Sequence, residues 1–142
     1  MHKIEKLKYD LIAFVAPQGG GKDTQMEILK ASLPCETTAL ISMSDVLRHY
    51  RSTDREFDEQ TSLMMARGIL IGDDIVVGRL MKYIQEECRG KTTILLNGFP
   101  RTIAQAFGLW AIKCHVLGPQ ARVAILKFEL SKEDAYKRCL KR

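Results

Sequence analysis

The stretch Ala16-Pro17-Gln18-Gly19-Gly20-Gly21-Lys22-Asp23-Thr24 lies between an apolar run, Leu11 to Val15, and an amphipathic segment that begins at Lys22. A buried strand, a turn of three glycines, one lysine and a helix start thus follow one another without a gap. Glycine lets backbone N–H groups turn inward without a Cβ clash. A helix N-terminus carries partial positive charge, and Lys22 adds a full one. Together these features read as a cradle for phosphate. The pattern G-x-x-x-x-G-K-[ST] is broken at both ends, because Ala16 stands at its first glycine and Asp23 at its Ser or Thr. A glycine-rich link between strand and helix is the plainer alternative, but three glycines cost backbone entropy that a mere link does not require.

The chain has 142 residues, a length suited to one domain. Hydrophobic residues make up 46%, enough for a substantial core, and the charged fraction of 27% is ordinary. No apolar run approaches the ~20 residues of a membrane helix, and Met1 to Lys6 has no apolar signal core. A cytoplasmic location and no membrane partner are therefore expected. The net charge of +5 fits an anionic partner, a nucleotide or a nucleic acid. Nucleic-acid binding calls for a basic stripe with clustered aromatics, and Trp110, the four Tyr and the five Phe are dispersed. Cys35, Cys88, Cys114 and Cys139 lack C-x-x-C spacing, and His2, His49 and His115 are scattered. No zinc site or disulfide framework is expected.

Periodicity predicts strands at Tyr9–Val15, Thr38–Ile41, Thr92–Leu96 and Arg122–Leu130. Helices are predicted over Lys22–Leu33, from a cap at Ser44 or Asp45 to Tyr50, from Asp54 to Gly68, from Asp73 to Cys88, over Thr102–Cys114, and after a Ser131 cap. Strands alternating with helices imply a parallel sheet with helices on both faces. Ligands bind such sheets beyond the carboxyl ends of the strands. The candidate site is therefore Gly19–Thr24, Ser42–Arg48 and Asn97–Arg101.

Those segments resemble the adenylate kinases, a family of nucleoside monophosphate kinases. Gly21-Lys22-Asp23-Thr24-Gln25 resembles G-K-G-T-Q apart from Asp23. Ile41-Ser42-Met43-Ser44-Asp45-Val46-Leu47-Arg48 is similar to I-S-T-G-D-M-L-R. Met65 to Asp73 is similar to M-D-A-G-K-L-V-T-D. Asn97-Gly98-Phe99-Pro100-Arg101-Thr102, followed by Gln105-Ala106, is similar to D-G-F-P-R-T. Four motifs in order cover the chain from about Asp10 to Arg142.

The resemblance implies an α/β, P-loop NTPase-like fold: one kinase core over residues 1–142, with a phosphate loop at 16–24 and a monophosphate-binding helical insert at about 43–72. It implies transfer of the ATP γ-phosphoryl group to a nucleoside monophosphate, AMP first, with Mg2+. Gly19, Gly20, Gly21, Lys22, Asp23, Thr24 and Arg138 would hold ATP. Ser42, Met43, Arg48, Ile69, Leu70, Ile71, Gly98, Phe99, Arg101, Gln105 and Arg142 would hold the monophosphate, and Lys22, Arg101 and Arg138 would be catalytic. Phosphoryl transfer needs positioning and charge neutralisation more than covalent chemistry. A planar guanidinium offers phosphate two parallel bonds.

The chain departs from the family at four positions. Ala16 adds a methyl where the loop has none, at a cost of about 1 kcal/mol if that position needs positive φ. Met43 replaces a base-reading Thr. Asn97 replaces an Asp that holds magnesium through water, and Asp23 replaces a Gly. Asp23 either takes over the carboxylate lost at Asn97, as a hard cation would favour, or points to solvent and suits the helix dipole. The family's lid, two further arginines, a final strand and a terminal helix have no counterpart, so a fragment is expected, with a monomer in the family and an exposed sheet edge open to pairing. A nucleotide-binding module without catalysis is the alternative. A small kinase acting on a sugar or acid would not need all these segments together.

Overall fold

The structure, a computed structural model, describes residues 8–141. Four strands form one all-parallel sheet in the order β2-β3-β1-β4. They are β1 (Leu11–Val15), β2 (Thr38–Ser42), β3 (Thr93–Asn97) and β4 (Val123–Lys127). Leu11 sits opposite Ile94 on β3 and Val123 on β4, and Thr38 sits opposite Thr93. β1 and β3 are central and covered on both faces. That is why they read as unbroken apolar runs rather than as alternating ones.

Alternate residues of these strands feed two cores. Leu11, Ala13, Ile94 and Leu96 pack with Val46 and Tyr50 of α2 (Met43–Thr53), Phe57 of α3 (Arg55–Ala66), Leu80 and Ile84 of α4 (Asp73–Glu87), and Leu109 and Ile112 of α5 (Ile103–Ile112). Ile12, Phe14 and Leu95 pack on the opposite face with Met26 and Leu33, under α1 (Lys22–Ser32). Burying each such aliphatic side chain is worth roughly 1.5–3 kcal/mol before entropy is charged. The sixth helix, α6 (Lys132–Leu140), has no buried residue and lies beside the turn that precedes α1, its Arg138 reaching Gly19.

Several boundaries differ from expectation. Ser42, not Ser44 or Asp45, caps α2 by accepting from Asp45 N at 3.2 Å, so that helix follows directly on the last residue of its strand. Asp54, Thr102 and Ser131 cap α3, α5 and α6 as their sequence context implies. The segment Lys113–Leu117 continues α5 as one wider π-helical turn. β4 is shorter than the predicted Arg122–Leu130. Phe128 N still donates to Val15 O at 2.8 Å, after which the chain turns into the α6 cap. β4 is an edge among the described residues, and its Ile125 and Leu126 are exposed.

Candidate functional site

Because the strands are parallel, Val15, Ser42 and Asn97 end on one rim of the sheet. The Ala16–Gly21 turn rises from that rim with Gly19 at φ 79° and Gly21 at φ 80°, conformations that residues with a Cβ rarely adopt. No described residue other than glycine has positive φ, so Ala16 carries no such strain. Its methyl has a different consequence. A Cβ on Gly20 would lie 2.8 Å from Ala16 Cβ and 2.9 Å from Pro17 O. The turn tolerates Ala16 because residue 20 has no side chain.

Lys22 opens α1 and points into a cleft of about 420 Å³ that is also lined by Ala16, Gln18, Gly98, Pro100 and Arg101. That volume is in the range of small-molecule sites. Arg101 donates through Nε to Gly98 O at 2.9 Å, and a Cβ on Gly98 would lie 2.9 Å from Arg101 Nη2. Gly98 thus makes room for the guanidinium. Gln105 sets the backbone beneath it: its Oε1 accepts from Arg101 N at 2.8 Å, and its Nε2 donates to Asp73 Oδ1 at 2.8 Å. Asp73 Oδ2 accepts from Thr102 Oγ1 at 2.9 Å. Both ends of the Gln105 amide therefore have protein partners, and the side chain is buried.

Asp23 turns back toward β3 rather than out along the helix. Its Oδ1 accepts from Asn97 Nδ2 at 2.8 Å and from Lys22 Nζ at 3.0 Å. Thr24 follows on the exposed side of α1. Arg138 reaches across from α6 and donates to Gly19 O at 3.3 Å, so its head lies over the turn.

Arg48 does not line the cleft. It is largely exposed and pairs with Asp45 Oδ1 at 2.6 Å, while Ser42 Oγ donates to Asp45 Oδ2 at 2.6 Å. The Ser42 bond, then Arg48, hold the Asp45 carboxyl below its ordinary range against the opposing effect of burial. Met43 is packed in the larger core at 7% exposure and Phe99 is fully buried. These two shape the rim through packing rather than by presenting side chains to it. Ile69 and Leu70 are exposed in the turn between α3 and α4, with Ile71 half-buried. Arg142 lies outside the described residues.

The sequence reading left out two participants. Gln18 lines the cleft, and Asp73 anchors Gln105 and Thr102. Asp73 had a visible signal, an acid opening a helix, but that signal named no partner on α5.

A hard-oxygen donor, the Asp23 carboxylate, lies at the rim against the Asn97 amide. Among the described residues no group of three or more His, Cys, Asp or Glu could hold a metal. Such a donor set fits magnesium, which keeps several waters and uses one or two carboxylates plus substrate phosphates. No helix among the described residues is long and apolar enough to cross a membrane.

A parallel α/β sheet, a glycine turn at its carboxyl rim and a lysine opening the next helix define a phosphate-loop nucleotide-binding protein. A family model described as an AAA domain matches residues 15–142. The chain is 34% identical over 133 residues to an adenylate kinase of Prochlorococcus marinus, covering 92% of this chain and 67% of that enzyme. It is 32% identical over 131 residues to one from Synechococcus, covering 92% of this chain and 68% of the relative. It is 40% identical over 103 residues to one from Caldicellulosiruptor saccharolyticus, covering 70% of this chain and 44% of that protein. The chain belongs to the adenylate kinase family, and it spans 67%, 68% and 44% of the length of these three relatives.

Proposed function

We propose that this chain carries the nucleotide-binding core of a phosphotransferase that moves the ATP γ-phosphoryl group reversibly to a nucleoside monophosphate, AMP first, in the cytoplasm. The observation that carries the reading is the single cleft shared by Lys22 and Arg101 at the ends of β1 and β3. The activity for which the relatives are named supports the same reading.

Residues 19–24 would hold the ATP phosphates through backbone N–H groups and the α1 N-terminus. Lys22 would bridge the transferred group. Arg101, preset by Gly98 and Gln105, would grip the acceptor phosphate with its fork. Arg48 would join it after leaving Asp45, and Arg138 would steady the ATP side of the loop. Residues 43–72, with Ser42 and the exposed Ile69–Ile71 turn, would form the acceptor insert. Magnesium, when bound with ATP, neutralises charge on the β- and γ-phosphates. A monomer suits this chemistry, and the open β4 edge is where a second strand would pair.

The test is calorimetric titration with ATP and with each monophosphate, alongside a coupled assay for ADP. Binding of ATP and AMP with ADP formation is the expected result. Binding without turnover would choose the second reading, a non-catalytic module, which the Asn97 amide at the β3 terminus favours. No binding of any nucleotide would overturn both.

A further inference from the structure

The phosphate loop of this fold class usually offers a metal two groups: a hydroxyl directly after the loop lysine and an Asp carboxylate from a neighbouring strand. This chain has the two polarities exchanged. The carboxylate, Asp23, follows Lys22, and the amide, Asn97, ends β3 next to β1. They touch: Asn97 Nδ2 donates to Asp23 Oδ1 at 2.8 Å. We propose that Asp23 is the carboxylate that holds the divalent cation of the bound nucleotide, and that Asn97 is a positioning residue that aims it.

Three observations point the same way. Asn97 carries no charge, so it cannot replace a metal-binding carboxylate, yet its amide N–H can orient one. Asp23 Oδ1 accepts from Asn97 and from Lys22, which draws the carboxylate to the rim where the lysine meets phosphate. The Asp23 side chain is also 61% exposed, open to a cation that retains part of its water shell. With no acidic cluster among the described residues, a lone carboxylate acting with substrate phosphates is the arrangement this rim can supply. The competing role for Asp23 is an internal anion that occupies Lys22 and must be displaced by phosphate.

The inference rests on the nucleotide-site reading, and calorimetry of ATP binding in magnesium and in EDTA separates the two. The purified chain is compared with Asp23→Asn, Asp23→Gly and the exchange variant Asp23→Gly/Asn97→Asp, with Mn2+ electron paramagnetic resonance as a direct metal readout. In the wild type, metal should tighten ATP binding. Asp23→Asn, which keeps the side chain's shape, should cut that gain by ~10–100-fold. The exchange variant should recover most of the gain. An Asp23→Asn variant with the full metal gain would overturn the assignment, as would one that binds ATP equally more tightly with and without metal. Wild-type ATP binding that ignores metal overturns it alone. No ATP binding in either condition overturns the nucleotide site and the assignment together.

Discussion

Gln105 donates its amide N–H to Asp73 Oδ1 at 2.8 Å, tying α5 to the first turn of α4 directly beneath Arg101. Asp73→Ala removes the acceptor of both Gln105 and Thr102 and leaves a buried amide donor unpaired. The expected loss is about 1–3 kcal/mol of stability, read from the urea midpoint at unchanged slope. Acceptor affinity should fall as well, because the Arg101 backbone loses its fixed partner. Asp73→Asn, which retains one acceptor oxygen, should lie between Asp73→Ala and wild type.

Arg101→Lys keeps the charge and loses the fork. Monophosphate binding should weaken by about tenfold or more, the equivalent of one charge-assisted hydrogen bond. ATP binding should change little. Calorimetry with each nucleotide separately checks the asymmetry, and equal losses on both sides would contradict the assignment of Arg101 to the acceptor.

Gly20→Ala forces a methyl toward Ala16 Cβ and Pro17 O, neither of which is the end of a flexible side chain. The turn must shift, with an expected cost of about 1–3 kcal/mol. ATP should raise the melting temperature of the wild type and leave that of the variant unchanged. Gly78 offers the opposite case, since an added Cβ there meets nothing within 4 Å in the middle of α4. Gly78→Ala should stabilise the chain by about 0.5–1 kcal/mol through helix propensity, with nucleotide binding unchanged.

Burial, aided by Glu87, pushes the Cys88 thiol up from 9.0 to about 11. Burial and Glu86 push the Tyr50 phenol up from 10.0 to about 12. In both cases the folded state keeps its proton where the unfolded chain releases it. Stability from these groups is therefore fully present below pH 9 and is lost as pH rises through about 9–12. Urea midpoints measured from pH 8 to 11 should fall, and Cys88→Ala should flatten the lower part of that fall. At pH 8 a thiol reagent should modify exposed Cys35 well before buried Cys88.

The central strands were plain from sequence, because two-sided burial leaves an uninterrupted apolar run. So were the Ser131 cap and the helix starts at Asp54 and Thr102, all three of whose side chains bond within three residues of themselves. The α2 start was misplaced by two or three residues, since Ser42, Ser44 and Asp45 can all cap and the choice depends on where β2 releases the chain. The π-helical turn after Ile112 had no local signal. At the site, parallel strands bring Lys22, Gly98 and Arg101 into one cleft, as connectivity implied. Arg48 stays outside it on its own ion pair with Asp45, and Met43 is taken by the core.

Glycine at positive φ, a lysine at a helix start and the order of apolar runs are local facts, and they were enough to specify the sheet, its rim and the kind of ligand that suits it. What they left open were contacts between distant parts of the chain. Asn97 reaching Asp23, Gln105 reaching Asp73 and Arg138 reaching Gly19 each join segments that folding alone brings within 3.5 Å. Hydrogen bonds depend on distance and angle, not on spacing along the backbone, so their partners emerged only once the helices had packed.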